Sequence, residues 1–206
     1  MQALIQQIES IRNSKIKNLI DWRMSEFKYK RSDEEIFQEL CFCILTANFN
    51  AKGGMKIQSM LGNNFLNLTE EKLAEKLKQL GHRFPNSRAS YIVEARKHKD
   101  EVIKLIKSNT EQKQIREWLV ENVKGLGYKE SSHFLRNIGF NNLAIIDFHI
   151  LDILEKNNLI EKPKTLSKAK YLEIEQLIEN LSEKINMSLG ELDLYLWYLE
   201  TGKVLK

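Results

Sequence analysis

The stretch Val123-Lys124-Gly125-Leu126-Gly127-Tyr128-Lys129 has the composition of an anion-binding turn. Two glycines separated by one apolar residue permit a tight turn with positive φ and leave no Cβ in the way of an approaching ligand. A helix that starts at once after such a turn points its unpaired N–H groups and the positive end of its dipole out of it, an arrangement that suits a phosphate. An ordinary helix C-cap uses the same residues, and a lysine beside it can be solvated or touch a phosphate. A second chemical group stands further on, in Ala144-Ile145-Ile146-Asp147-Phe148-His149-Ile150. There a short apolar run leads directly to Asp147, with Ile150, Leu151 and Leu154 continuing at helical spacing, so Asp147 reads as an N-cap.

Helices must hold both groups. Before the glycine turn, 111–122 places Ile115, Trp118, Leu119 and Asn122 near one face; after it, 128–139 places Ser131, Phe134, Leu135 and Ile138 at helical spacing. Apolar-Lys-Gly-Leu-Gly, then Lys129 and a helix, resembles the helix-hairpin-helix motif of DNA-binding proteins.

At 206 residues, 42% hydrophobic and 29% charged, the chain is expected to be globular, as one compact unit or two small ones. A net charge of +4 permits a polyanionic partner without demanding one. No apolar run approaches the roughly 20 residues that span a bilayer, and the start, Met1-Gln2-Ala3-Leu4, does not read as a signal peptide. A cytoplasmic location with no membrane contact is expected. The two cysteines, Cys41 and Cys43, lie in one apolar helical run, where their sulfurs point about 200° apart, so buried structural thiols are expected. Two thiols cannot hold a four-thiolate iron–sulfur cluster.

Only two prolines occur and almost nothing alternates with period two, so the fold class is all-α. Leu4, Ile5, Ile8 and Ile11 mark a first helix; Ile16, Leu19, Ile20 and Phe27 a second. Ser32 caps a helix through Ile36, Phe37, Leu40 and Ile44 that breaks at 46–51. A further helix covers 52–61, and Thr69 starts one that buries Leu73, Leu77 and Leu80 and closes at Gly81. A loop over 82–88 carries Arg83, Phe84 and Arg88, which no core pattern claims, before a helix over 89–97. The C-terminal part reads as a long helix over 167–185 and a last one over 189–199. No linker or repeat separates domains.

Together, Lys-Gly-Leu-Gly-Tyr-Lys-Glu-Ser-Ser-His-Phe-Leu-Arg-Asn (124–137), Ala-Ile-Ile-Asp-Phe-His-Ile (144–150), Leu-Asp-Leu-Tyr-Leu-Trp-Tyr (192–198) and a terminal Lys resemble the archaeal-type, type-2 8-oxoguanine DNA glycosylase/lyases of the helix-hairpin-helix superfamily. Leu-Cys-Phe-Cys-Ile-Leu-Thr-Ala-Asn (40–48) and Leu-Gly-His-Arg-Phe (80–84) match as well, and the resemblance covers essentially the full length. It implies two helical subdomains with the active-site cleft between them. One is 31–141, with the helix-hairpin-helix at about 111–139; the other is 1–30 plus 142–206.

The resemblance also implies roles. Lys129 would attack the sugar C1′, displace the base and form a Schiff base that permits β-elimination; Asp147, eighteen residues on, would stabilise positive charge on the sugar and accept the amine's proton. A helix N-terminus, cationic neighbours and partial desolvation would favour the neutral amine. Lys124, Gly125, Gly127, His149, Asn48 and Arg83 would contact DNA, and Phe84, Trp197 and Lys206 would recognise the flipped base. Phe148 departs from the family, which usually carries a cation there. The partner would be double-stranded DNA containing 8-oxoguanine and the protein a monomer. No cofactor is expected beyond a monovalent cation at the hairpin carbonyls. A glycosylase for oxidised pyrimidines and a non-catalytic DNA-binding module are the alternatives. The first usually carries a C-terminal cysteine cluster, absent here, and the second needs neither Lys129 nor Asp147.

Overall fold

The computed structural model describes all 206 residues and contains thirteen α-helices and no strand. The chain divides into two compact units, 30–134 and 1–29 with 135–206.

The first of these holds α3 (Asp33–Thr46), α4 (Ala51–Leu61), α5 (Asn64–Asn67), α6 (Glu70–Gln79), α7 (Pro85–Ala95), α8 (Lys99–Lys107), α9 (Gln112–Asn122) and the start of α10 (Tyr128–Asn137). Helix α3 is its centre: every residue from Leu40 to Thr46 is buried, including free Cys41 and Cys43. Burial pushes the Cys41 thiol well above its ordinary range, as expected of a structural cysteine. Ser32 starts α3 with a full capping box, accepting from the Glu35 N–H while Glu35 accepts from the Ser32 N–H at 2.7 Å. Helices α4, α5, α7 and α8 pack around it.

Two parts of this unit depart from the sequence reading. Helix α7 begins at Pro85, so Arg88 is not in a loop; proline at the first helical position loses no hydrogen bond, and its fixed φ suits the helix. Arg88 is buried and donates from Nη2 to the Ala47 carbonyl at 2.6 Å, tying α7 to the end of α3. Helix α8, which the sequence reading lacks, buries Val102 and Ile103.

The second unit holds α1 (Gln2–Arg12), α2 (Ile16–Phe27), the end of α10, α11 (Phe148–Lys156), α12 (Lys168–Lys184) and α13 (Leu189–Thr201). Helix α13 is its centre, packed by α1, α2, α11 and α12 and buried from Leu189 to Leu196 except at half-buried Glu191. Leu4, Ile8, Ile11, Ile20 and Phe27 are buried as their spacing predicts, whereas Leu19 is exposed.

The spacing sets Ser131, Phe134, Leu135 and Ile138 on one face of α10; in the structure 131–137 is buried all round, serines, His133, Arg136 and Asn137 included, and Ile138 is half-buried. Within the second unit Arg136 donates to Asp193 Oδ2 at 2.8 Å and to Asn137 Oδ1 at 2.9 Å, and its guanidinium stacks 4.4 Å from the Phe27 ring. The helix ends at Gly139 (φ 105°), with Phe140 N–H donating to the Leu135 carbonyl at 3.0 Å in a Schellman closure. Replacing Arg136 with Met strips a buried carboxylate of a cation, and a loss of about 3–5 kcal/mol is expected in urea unfolding. The double variant R136M/D193L recovers most of it.

Candidate functional site

The glycine turn is built as its sequence suggests, with one difference. Val123 and Leu126 are buried anchors at either side of Gly125, which adopts φ +92°. A Cβ there would lie 2.6 Å from Cδ2 of Tyr91, so Gly125 is required both by its φ and by the ring beneath it. Gly127 has no positive φ, and a Cβ there would meet only the Glu130 carboxylate, at 3.3 Å from Oε2. Its carbonyl accepts the Ser131 N–H at 2.9 Å and so opens α10.

Lys129 stands in the first turn of α10 with its side chain 23% exposed and its ammonium 3.5 Å from Glu130 Oε1. The sequence led to an expectation of cationic neighbours; the recorded ion pair is with an anion on the adjacent residue. Exposed Lys124 reaches back to α7, 3.7 Å from Glu94 Oε2 and 5.4 Å from the Tyr91 ring centre.

Helix α7 joins this turn to the other residues predicted in the same unit. Arg88 lies 5.5 Å from the Tyr91 ring and 5.8 Å from that of Phe84, and the exposed Arg83 guanidinium stacks 4.9 Å from Phe84. Phe84 is 36% exposed, as a residue that receives a flat ligand needs to be. Asn48 is exposed in the left-handed region (φ 58°), directly after the Ala47 carbonyl that Arg88 holds. His82, 4% exposed, fixes the loop before α7: Nδ1 accepts the Phe84 N–H at 3.0 Å, which leaves Nε2 as the protonated nitrogen donating to the Leu45 carbonyl at 3.0 Å. Burial lowers the His82 pKa below its ordinary value, the Leu45 bond raises it and Arg88 lowers it further.

Asp147, His149, Trp197 and Lys206 lie in the other unit, and the structure brings the first three together. Asp147 caps α11, its Oδ1 accepting the Ile150 N–H at 2.9 Å, while Oδ2 accepts from Trp197 Nε1 at 3.3 Å. Trp197 meets the His149 ring edge-on at 5.4 Å, and His149 in turn stacks on exposed Phe148 at 3.9 Å. Lys206 is half-buried in the short tail after α13.

The backbone that delivers Asp147 is the least expected feature. Residues 143–146 are buried but belong to no helix or strand, so their polar groups need side-chain partners. Glu175 Oε1 accepts the Ala144 N–H at 3.0 Å; the Tyr171 hydroxyl donates to the Ala144 carbonyl at 2.7 Å and accepts the Ile146 N–H at 3.3 Å. Each such group, left alone, would cost about 1–3 kcal/mol. Sequence reasoning missed Tyr171, Glu175 and Tyr91. The available signal was a glutamate set four residues after a tyrosine on the apolar face of α12, beside Ile174 and Ile178. No group of three or more His, Cys, Asp or Glu side chains is arranged to hold a metal ion, and no helix is long and apolar enough to cross a membrane.

A family model described as 8-oxoguanine DNA glycosylase matches residues 20–187. The 8-oxoguanine DNA glycosylase/AP lyase of Korarchaeum cryptofilum is 55% identical over 98% of each chain. The crystal structure of the Methanocaldococcus jannaschii 8-oxoguanine glycosylase/lyase in complex with a 15mer DNA containing 8-oxoguanine superposes with a TM-score of 0.96 at 56% identity, covering 99% of this chain and 100% of that one. That of the Thermotoga maritima 8-oxoguanine DNA glycosylase gives 0.93 at 45% identity, covering 100% and 99%.

Gly125→Ala is expected to destabilise the fold more than Gly81→Ala in urea unfolding. Both glycines have positive φ, but a Cβ at Gly81 meets nothing within 4 Å whereas one at Gly125 strikes Tyr91. For His82 the folded pKa lies below the unfolded one, so the unfolded chain binds more protons and stability falls as pH drops through about 6.5. Stability followed from pH 8 to 5 should decline on the acid side, and less so in His82→Gln.

Proposed function

Since the chain belongs to the 8-oxoguanine DNA glycosylase family, we propose that it removes 8-oxoguanine from DNA and then cleaves the strand as an AP lyase, with Lys129 as the nucleophile and Asp147 as the assisting carboxylate. The observation that carries the assignment is the restraint on Asp147, a carboxylate held through both oxygens at the end of a buried segment. Lys129 supports it as the amine in the first turn after the hairpin, a turn whose open N–H groups suit a phosphate.

The reaction then follows from the groups. The Lys129 amine parts from Glu130 and gives up a proton, for which Asp147 is the acceptor. Its lone pair adds at C1′ as the bond to the base breaks, and the base departs with the electron pair and the proton that Asp147 had taken, which restores the carboxylate. Positive charge that develops on the sugar is stabilised by the carboxylate. Opening of the sugar ring gives a Schiff base between Lys129 and C1′; removal of a C2′ proton then expels the 3′ phosphate, and water hydrolyses the imine to restore the lysine.

Lys124, Gly125 and Gly127 grip the phosphate, with Asn48, Arg83 and His149 as further DNA contacts. Phe84 and Trp197 stack on the extruded base and Lys206 reads its edge. The hydrogen bond from Nε1 uses the edge of the Trp197 ring and is compatible with stacking through a face. A monovalent cation at the hairpin would take main-chain carbonyl oxygens such as those of Val123 and Gly127, each of which accepts one N–H and keeps a second lone pair. The protein works as a monomer in the cytoplasm on double-stranded DNA.

Borohydride trapping on duplexes carrying 8-oxoguanine opposite cytosine, thymine glycol or no lesion tests the assignment. An adduct is expected with the 8-oxoguanine duplex alone and should vanish in Lys129→Gln while binding persists. Unchanged trapping by that variant removes Lys129 as the nucleophile, and an adduct with thymine glycol instead moves the substrate to oxidised pyrimidines.

A further inference from the structure

Asp147 is one peptide away from Ile146, whose N–H donates to the Tyr171 hydroxyl, and three residues from Ala144, whose N–H and carbonyl are held by Glu175 and Tyr171. Tyr171 and Glu175 lie one turn apart on α12, buried to 2% exposure each, so their heads cannot wander. Beyond Asp147 the chain enters α11 at once, and the carboxylate is committed to the Ile150 N–H and to Trp197. A slip of the segment would have no slack to absorb it: it would either break the cap or move the carboxylate.

We propose that Tyr171 and Glu175 are positioning residues for Asp147, fixing through three backbone hydrogen bonds the segment that carries it. The inference rests on Asp147 acting in the reaction. The two residues differ in what they must supply. Tyr171 both donates and accepts, which phenylalanine cannot do; Glu175 only accepts at Oε1, which the carbonyl of a glutamine can do equally well. A glutamine at 175 therefore restores the geometry, and a leucine of similar bulk does not.

Single-turnover excision of 8-oxoguanine and duplex affinity are measured for Tyr171→Phe, Glu175→Leu, Glu175→Gln and Asp147→Asn, each well below its own Tm. Ile8→Val and Ile8→Ala, buried changes in α1, serve as controls of graded stability. Since misplacement of a reacting group by about 1 Å costs up to about a hundredfold in rate, Y171F and E175L are expected to excise about tenfold or more slowly with Kd within about twofold, and E175Q to stay within about threefold of the parent. If Y171F and E175L are no slower than Ile8 variants of equal Tm, the positioning role is overturned. Should Y171F fail to fold, equal rates for E175L and E175Q overturn it by themselves. Full activity in D147N is a separate result: it removes Asp147 from the reaction.

Discussion

Buried backbone has to be hydrogen-bonded, and where it lies outside helix and sheet only side chains or water can do it. Residues 143–146 impose this constraint on half of the molecule. They are apolar enough to be pulled inside, too short to form an element of their own, and must deliver Asp147 at a defined place. Meeting their needs dictates a tyrosine and a glutamate on α12, and α12 can present them only because it is packed against α13. The same α13 supplies Trp197, which holds the second oxygen of Asp147. One unsatisfied stretch of main chain thus explains why three helices converge on one carboxylate.

The other unit solves a different problem, the support of a tight glycine turn immediately before α10. Its device is a ring pressed under a glycine: Tyr91 fills the space where a Cβ of Gly125 would stand and also borders Lys124 and Arg88. Helix α7 therefore carries the seat of the hairpin, and Arg83 and Phe84 lie immediately before its first residue, Pro85. Rigid elements hold residues of both kinds in one frame, which loops alone could not do to the same tolerance.

Features fixed by neighbours in sequence were legible without coordinates. The N-caps at Ser32 and Asp147, the helix start at Thr69, the glycine turn and the apolar stripes of α1 and α6 all depend on spacings of four residues or fewer. Features fixed by distant partners were not. Arg88 read as a loop residue because its partner, the Ala47 carbonyl, lies 41 positions away, and Pro85 disguised the start of its helix. The burial of α10 on every side had no signal in its sequence, because polar side chains usually face water; here Arg136 is satisfied internally by Asp193, 57 positions on. Tyr91, Tyr171 and Glu175 carry no local signature of what they hold. The pair Lys129 and Asp147 was legible only through the resemblance, since a lysine after a glycine turn and an aspartate before a helix are each common alone.

The order of the chain has a consequence for synthesis. The unit of 30–134 is continuous, and all its helices but the last have been made before the hairpin appears. The other unit is split: its first two helices emerge at the outset, but the wall they pack against, α13, is among the last segments translated. Leu4, Ile8, Ile20 and Phe27 must therefore wait, apolar faces uncovered, while well over a hundred residues are added, and the inner unit can close long before them. On a ribosome the glycine turn would be complete while the segment that carries Asp147 still lacked its supports. The main-chain groups of Ala144 and Ile146 would stay without their partners until α12 had emerged.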